Sequence, residues 1–437
     1  MLIQFSVGNI LSFSEIVKFS MMGVPSVKEF ENVNSFADPT QKFKLLKSAA
    51  IYGANASGKS NLIHSISIMK SFVLNSFRDA LLEKNNKILS ITKFLLKKKY
   101  EEKPSFFEIV FIHKNKRYRY GFEVSDGIIE SEWLFFVNTN KEIKLFFREK
   151  KKIYVNNRSF KEGAGLENKT RENVLFLTVV AQLNGERSSK VIDWFKKIKI
   201  ASGLNDFGHG SFTLSKYKTD GKFKKWAQSI FDSLDIVELS TKKEILPTLN
   251  SELIQKGGKK SMLSKKMVSA LQEIQNEIGE IDRIITWHNK YNTDSAIIEK
   301  VPFDFNTQES EGTKKIINFL GPIYDALSNG YVLVVDELDS RLHPLLTIMI
   351  VRFFHEYNVN NAQLVFASHD TNLLKKEYFR RDQIWFTEKN EYGETDLYSL
   401  IEYKEAHVRK DASFDKNYLK GRYGATPFLD NIVTEFS

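Results

Sequence analysis

Apolar and polar positions repeat with different periods along the chain, and the change of period predicts its elements. Residues 1–24 alternate with a period of two, as half-buried strands do, and Phe106–Ile112 followed by Tyr118–Val124 predicts a hairpin. Residues Asn61–Phe77 carry apolar side chains at helical spacing. From Val332 onward, apolar runs alternate with helical patterns, which is typical of a parallel α/β sheet.

Composition narrows the class of protein. The chain has 437 residues with 42% hydrophobic residues and 35 Phe, which is enough for a sizeable core. It has no Cys, which excludes disulfides, thiolate zinc sites and cysteine nucleophiles and suits a reducing compartment. The first residues lack the basic region of a signal peptide, and no apolar run approaches the roughly 18 residues of a membrane helix. We therefore expect a cytoplasmic protein without membrane contact.

Most of the net charge of +10 is concentrated in residues 186–268. This stretch has 17 Lys and Arg against 9 Asp and Glu, an excess of eight positive charges. Met267–Ile284 then predicts a helix. We expect a basic, largely helical insertion over 186–300, which would contact DNA, contact an acidic protein, or only be solvated. Its lysines form two groups: Lys216, Lys218, Lys222, Lys224 and Lys225, and Lys256, Lys259, Lys260, Lys265 and Lys266.

Residues Gly53–Ser60 match the phosphate-loop pattern G-x-x-x-x-G-K-[ST]. Glycines allow the backbone N–H groups to point at phosphate oxygens, and the helix that follows adds its positive N-terminal end. Lys59 would reach the β- and γ-phosphates, and the Ser60 hydroxyl would coordinate Mg²⁺. The motif follows the apolar run Leu45–Tyr52, as this fold requires. We expect ATP to contact Gly53, Asn55, Ala56, Ser57, Gly58, Lys59, Ser60 and Asn61.

Two later strands end in polar residues that suit phosphate chemistry. The apolar run before Asp336 and Glu337 predicts a buried strand. Asp336 would lie by Mg²⁺ opposite Ser60, and Glu337 would polarise the attacking water as general base. The next apolar run ends at His369, which would contact the γ-phosphate and orient water. A lone histidine is more often structural, but its place one strand after the acidic pair favours the catalytic interpretation.

In this order, the three elements resemble the ATP-binding-cassette (ABC) ATPases of the RecF, Rad50 and structural-maintenance-of-chromosomes type. The resemblance assigns Gln308–Lys315 to the family's signature loop. Ser310 and Gly312 match its serine and second glycine, and Glu311 replaces the first glycine. Because that loop caps ATP held by another subunit, the resemblance implies a head-to-head dimer or a higher homo-oligomer. Asp339 matches the loop that crosses the dimer interface.

A closer resemblance is to the AAA15 group, which includes the RloA and AbiL-type ATPases and the ATPase of the PARIS system. It implies an α/β P-loop NTPase of ABC type, with an ATPase lobe and β-subdomain over 1–185, the insertion over 186–300 and a second ATPase lobe over 301–437. It also implies a role in bacterial defence beside a separate effector, often a nuclease. The segments that carry it are Asn9–Phe13, Ile51–Asn61, Tyr118–Phe122, Arg380–Ile384 and Gly421–Phe428.

One feature departs from the ABC pattern. The family usually has a glutamine loop between the phosphate loop and the signature, yet the first Gln after Asn61 is Gln182, to which we assign no role. Either another residue supplies this function or hydrolysis is slow. Only 68 residues follow His369, which is short for a further catalytic domain, so we expect any nuclease to act in trans.

Three functions agree with these patterns. The first is an ATPase that acts as sensor and scaffold in anti-phage defence. The second is a RecF-like ATPase of DNA repair or recombination that contacts DNA through residues 186–268. The third is a nucleotide-gated structural protein with negligible turnover. Stimulation of ATP hydrolysis by DNA would favour the second function over the first.

Overall fold

The computed structural model describes residues 1–82, 91–137, 141–203, 208–245, 280–403 and 413–426. They belong to two units, one made of Met1–Asp206 with Pro322–Ser437 and the other of Phe207–Gly321. The described helices are α1 (Lys59–Leu82), α2 (Phe176–Gln182), α3 (Glu186–Lys196), α4 (His209–Thr219), α5 (Gly221–Phe231), α6 (Glu311–Asn329), α7 (Pro344–Glu356) and α8 (Phe414–Leu419). The described strands are β1 (Leu2–Gly8), β2 (Val17–Ser20), β3 (Ser35–Ala37), β4 (Lys44–Leu46), β5 (Ser48–Tyr52), β6 (Ser105–His113), β7 (Lys116–Ser125), β8 (Ile128–Val137), β9 (Glu142–Glu149), β10 (Lys152–Val155), β11 (Ile198–Ser202), β12 (Glu238–Ile245), β13 (Glu280–Tyr291), β14 (Ile297–Asp304), β15 (Val332–Asp336), β16 (Gln363–Ala367), β17 (Ile384–Lys389) and β18 (Thr395–Ser399).

An antiparallel sheet forms the N-terminal lobe of the first unit. Its seven strands lie in the order β10-β9-β8-β7-β6-β1-β2. The predicted hairpin is confirmed, since β6 pairs with β7 around Lys114 and Asn115. Both turn residues have positive φ angles, 48° and 58°, as the tight hairpin turn matching the twist of a sheet demands. The alternating pattern therefore builds the β-rich lobe that the sequence predicts.

A second sheet in the same unit carries the phosphate loop. Its six strands lie in the order β11-β15-β16-β5-β17-β18, and all neighbours are parallel except β17 and β18. Every residue of β5 and β16 is buried, which explains their continuous apolar runs. One hydrophobic core includes side chains from both sheets and from α1, α2 and α3. This is the mixed α/β architecture expected of a P-loop NTPase with a β-rich lobe.

A buried acid fixes helix α2 beside the helix that follows the phosphate loop. Glu132 on β8 is fully buried and accepts hydrogen bonds from the Phe176 and Leu177 amides at 2.7 and 3.0 Å. The Tyr120 hydroxyl donates to the same carboxyl group at 3.0 Å, and Arg148 lies 4.0 Å away. Burial raises the pKa of Glu132, while Arg148 and the amides oppose that rise. The start of α2, which packs against α1, is thereby attached to the antiparallel sheet.

The second unit contains α4, α5, the antiparallel sheet β12-β13-β14 and the first part of α6. Its limits differ from the predicted insertion over 186–300. Helix α3 and strand β11 belong to the first unit, because β11 pairs in parallel with β15. Residues up to Gly321 belong to the second unit. The predicted helix over Met267–Ile284 is wrong for residues 280–284, which begin β13, and residues 267–279 lie outside the described part.

The predicted lysine groups lie partly within the described residues. Lys222, Lys224 and Lys225 are exposed on α5, whereas the group from Lys256 to Lys266 lies outside the described residues. Across the part of the chain that the structure describes, no helix is long and apolar enough to cross a membrane.

Candidate active site

The phosphate loop lies between β5 and α1, in the strand–loop–helix context that the motif requires. Gly58 has a φ angle of +117°, a backbone conformation that residues other than glycine rarely adopt. A Cβ atom at this position would also lie 2.6 Å from two side-chain atoms of Thr395. The second glycine of the motif is therefore required by the backbone and by a close neighbour. Asn55, Ala56 and Ser60 are exposed at the loop and at the start of the helix.

Lys59 is the central cation of the site. It is 5% exposed, and its Nζ donates hydrogen bonds to the carbonyl oxygens of Gly53 and Ala54 at 2.8 and 2.9 Å. Burial lowers the pKa of Lys59 to about 8, and the carboxylates of Asp336, Glu337 and Asp339 act in the opposite direction. The Lys59 ammonium group therefore interacts electrostatically with these three carboxylates.

Strand order explains how residues so distant in sequence meet. Strands β15, β16 and β5 are parallel neighbours, so their carboxyl ends share one edge of the sheet. Asp336 ends β15, His369 follows β16 and the phosphate loop follows β5. The structure therefore brings the predicted Lys59, Asp336, Glu337 and His369 to one edge.

The loop after β15 holds the histidine in place. One carboxylate oxygen of Asp339 accepts a hydrogen bond from the His369 amide at 3.1 Å. Asp339 thus has a structural role that its assignment to a dimer interface did not include. Burial lowers the pKa of His369, Lys59 lowers it further, and Asp339, Glu337 and Asp336 oppose the shift. The imidazole is accordingly neutral at pH 7, with one ring nitrogen free of a proton.

The carboxylates fit a magnesium ion. Asp336 Oδ1 and Asp339 Oδ1 are both buried without a hydrogen-bond partner. Hard cations prefer oxygen ligands of this kind. Over the described ranges, the structure has no group of three or more His, Cys, Asp and Glu side chains that could hold a metal ion by themselves. Mg²⁺ would therefore take further ligands from the Ser60 hydroxyl, water and nucleotide phosphates, which is its usual environment in ATPases.

A set of hydroxyl groups fastens the loop to distant segments. Asn61 Nδ2 donates to Ser12 Oγ at 2.7 Å, and Thr395 Oγ1 lies 2.8 Å from both Ser12 Oγ and the Ser57 carbonyl oxygen. Ser57 Oγ lies 2.6 Å from Thr387 Oγ1. Ser12 belongs to the segment Asn9–Phe13 that carries the family resemblance, whereas neither threonine lies in a motif that the sequence predicts. Threonine is common in strands, so β17 and β18 offered no signal for this contact.

The two predicted signature residues belong to the second unit. Ser310 precedes α6, and its Oγ accepts a hydrogen bond from the Thr313 amide at 3.1 Å, as a residue preceding a helix often does. Gly312 lies in the first turn of α6. Glu309, which directly precedes Ser310, accepts a hydrogen bond from Thr286 Oγ1, and a carboxylate oxygen of Glu309 lies 2.7 Å from His288 Nε2. The signature role of Ser310 and Gly312 stays a prediction.

Together, the loop, the acids and the parallel sheet define a P-loop ATPase of the ABC type. Residues 48–375 match the protein-family model described as "AAA domain, putative AbiEii toxin, Type IV TA system". This match covers more than half of the chain, so the chain belongs to that family. P-loop ATPases of this class typically bind ATP with Mg²⁺.

Two solved structures are similar to the chain at low sequence identity. The SMC head domain from Thermotoga maritima is 10% identical, with 91% of this chain and 98% of that chain covered and a TM-score of 0.39. A SmcHead bound to the C-winged helix domain of ScpA is 12% identical, with 91% and 97% covered and a TM-score of 0.41. No curated protein matches the chain in sequence.

Proposed function

We propose that this chain binds and hydrolyses MgATP and that its nucleotide state gates a separate effector, such as a nuclease, in bacterial anti-phage defence by abortive infection. The observation that carries the ATPase part is the meeting of Lys59, Asp336, Glu337 and His369 at one edge of the sheet. The defence part is supported by the family description, which links the domain to a toxin–antitoxin system, and by the resemblance to the AAA15 group.

Each side chain has a definite task in this proposal. Lys59 and the loop amides bind the phosphates, and Ser60 with Asp336 would hold Mg²⁺, which neutralises charge developing on the phosphate oxygens. Glu337 accepts the proton of the attacking water, and the neutral His369 imidazole orients that water or the γ-phosphate. Ser310 and Gly312 would complete the site of a second copy in a head-to-head dimer. Such a dimer supplies the two states that an effector could distinguish.

The first test is phosphate release by the purified chain. We expect Glu337→Gln to bind ATP, to stabilise the dimer and to lose about 100-fold or more in turnover, because general-base catalysis typically contributes that much. Lys59→Ala should abolish ATP binding. Glu149→Gln, a neutralised exposed acid at the end of β9, is the matched control and should retain turnover. Full turnover by Glu337→Gln would contradict the assignment.

The second test concerns the effector. Glu337→Gln should arrest the ATP-bound state, so a partner that recognises that state should co-purify from native cells with this variant and be lost with Lys59→Ala. Absence of any stoichiometric partner from both preparations would count against an effector in trans. ATP-dependent dimerisation without phosphate release would instead favour a nucleotide-gated structural protein.

A RecF-like DNA-binding ATPase is the second candidate, and the exposed lysines of α5 favour it. Lys222, Lys224 and Lys225 lie within four residues of one helix, and phosphate contacts by such side chains make affinity fall steeply with salt. Triple substitution of these residues by Glu should then abolish duplex binding, and duplex DNA should stimulate phosphate release. Unchanged DNA affinity in the triple variant would remove this surface as the binding site.

A further inference from the structure

Tyr52 joins the phosphate-loop strand to the segment that carries His369. It is the last residue of β5, directly before Gly53, and its side chain is 1% exposed. Its hydroxyl donates a hydrogen bond to the Asp370 carbonyl oxygen at 3.2 Å. The amide of His369 is held from the other side by Asp339. The backbone at His369 and Asp370 is therefore held from both sides, by Tyr52 of β5 and by Asp339 in the loop after β15.

The Tyr52 phenol is suited to act only as a donor at this carbonyl. Burial raises its pKa well above the ordinary value, and the nearby carboxylates of Asp339 and Asp370 add to that rise. The hydroxyl therefore keeps its proton at neutral pH and can donate it to the carbonyl oxygen. Ser368 is also fully buried, and its Oγ accepts a hydrogen bond from the Asp370 amide at 3.0 Å. The whole Ser368–Asp370 turn is thus held by side chains of the first unit.

Helix α8 restrains the Tyr52 ring. Tyr418 meets Tyr52 edge to face, with ring centroids 6.0 Å apart, and stacks on Phe386 at 5.5 Å. The Tyr418 hydroxyl donates a hydrogen bond to the Ala425 carbonyl oxygen at 3.2 Å. Burial raises the pKa of Tyr418 to about 12, and a hydrogen bond from the Gly53 backbone opposes that rise. Downstream, the Tyr398 hydroxyl donates to the Tyr423 carbonyl oxygen at 2.7 Å. The C-terminal motif that begins at Gly421 is thereby docked on the same hairpin as Phe386.

We propose that Tyr52 is a positioning residue that sets where His369 stands relative to the phosphate loop, and that Tyr418 keeps Tyr52 in place. This inference rests on the proposed ATPase function. Removal of the hydroxyl frees one side of the turn that carries His369 and leaves Lys59 and the loop amides, which bind the phosphates in the proposed function, unchanged. The effect should therefore fall on the chemical step and spare nucleotide binding.

Tyr52→Phe tests the first half of the inference. We expect kcat to fall about fivefold to tenfold, the equivalent of one hydrogen bond, while KM and the Kd for ATP stay within twofold. Tyr120→Phe is the matched control, because Tyr120 is also fully buried and its hydroxyl donates to Glu132 in the antiparallel sheet. The control should lower stability and leave kcat unchanged. An unchanged kcat in Tyr52→Phe, or an equal loss of ATP affinity, would overturn the proposal.

Amide hydrogen exchange decides the same question without turnover. Residues 369–374 should exchange at least about fivefold faster in Tyr52→Phe than in the wild type, because their turn loses one hydrogen bond, and should not change in Tyr120→Phe. Unchanged exchange in Tyr52→Phe would overturn the proposal even if the wild type hydrolyses no ATP. Failure of the ATPase function itself would show separately, as wild-type phosphate release that equals that of Glu337→Gln.

Tyr418→Leu tests the second half. It removes the aromatic edge contact together with the hydroxyl, so kcat should fall and the exchange of residues 369–374 should rise. Tyr418→Phe keeps the ring and loses only the hydroxyl contacts to Gly53 and Ala425, so it should leave both quantities near their wild-type values. If kcat and exchange are both unchanged, α8 has no part in positioning, whatever the result for Tyr52→Phe.

Discussion

Helix α6 contains a proline, and a threonine from another helix compensates for it. Pro322 has no N–H group, so it cannot donate to the Asn318 carbonyl oxygen four residues earlier. Thr213 on α4 supplies a donor instead, with its Oγ1 2.9 Å from that oxygen. The same Oγ1 accepts a hydrogen bond from the Gly321 amide at 3.0 Å. Thr213 is fully buried, so water does not compete for these contacts.

Thr213→Val keeps the shape of the side chain and removes both hydrogen bonds. Each bond contributes about 1 kcal/mol net, and a buried polar group that loses its partner costs about 1–3 kcal/mol. We expect a loss of about 2–4 kcal/mol in the stability of this region. Thr213→Ser keeps the hydroxyl and loses a methyl group, so its cost should stay near 1 kcal/mol. The difference between the two variants isolates the role of the hydroxyl.

Hydrogen exchange of the intact chain provides the assay. The amides of residues 314–321 should exchange about 30-fold to 1,000-fold faster in Thr213→Val, since each 1.4 kcal/mol is a factor of ten. Thr213→Ser should remain within about tenfold of the wild type. Equal exchange in the two variants would refute the reasoning, because it would show that the Asn318 carbonyl finds another donor at no cost.

Two further predictions concern the phosphate loop and the far end of the same sheet. Gly58→Ala should lose most ATP affinity in a binding titration, because its Cβ would meet Thr395 at 2.6 Å on a backbone of φ +117°; wild-type affinity would contradict this. His355 is buried, and burial is the main reason that its pKa is lowered to about 3. As the pH falls below 6.5, the unfolded chain takes up a proton at His355 before the folded chain does, so the free energy of unfolding decreases progressively from pH 6.5 toward pH 3. At pH 5 the decrease amounts to about 2 kcal/mol. His355→Gln should therefore lose less free energy of unfolding than the wild type between pH 7.5 and pH 5, as measured by urea unfolding. Equal decreases in the two proteins would disprove the assignment.

The parts of the site that could be predicted from sequence are those that a contiguous motif carries. Gly53–Ser60 and the pair Asp336-Glu337 each follow a buried strand, so pattern and chemistry are read in one window. Tyr52 and Thr395 escaped notice because their roles depend on partners far along the chain. Tyr52 bonds to Asp370, 318 positions later, and no local pattern marks either end of such a contact.

The limits of the second unit are hard to predict from the sequence for a related reason. Strand β11 has only five residues and includes Lys199, so its short apolar alternation is hidden within a lysine-rich stretch. Only its parallel pairing with β15 shows that it completes the ATPase sheet. Ile281, Ile284 and Ile285 suit a helical face as well as a strand. In the structure, pairing with β12 on one side and β14 on the other decides for the strand.

Glu337 shows why local rules fail where the chemistry is expected. Its φ angle is +51°, a left-handed conformation that costs a residue with a side chain about 1 kcal/mol. A glycine or asparagine would relieve that cost, yet neither could act as a general base. The neighbours enforce the turn, since the Leu338 amide donates to the Ala367 carbonyl at 3.1 Å and the Ser340 amide donates to that of Glu337 at 3.1 Å. The sheet thus retains an unfavourable backbone conformation at the residue to which we assign the proton transfer. Active sites commonly keep such local strain, and the stability of the surrounding structure compensates for it.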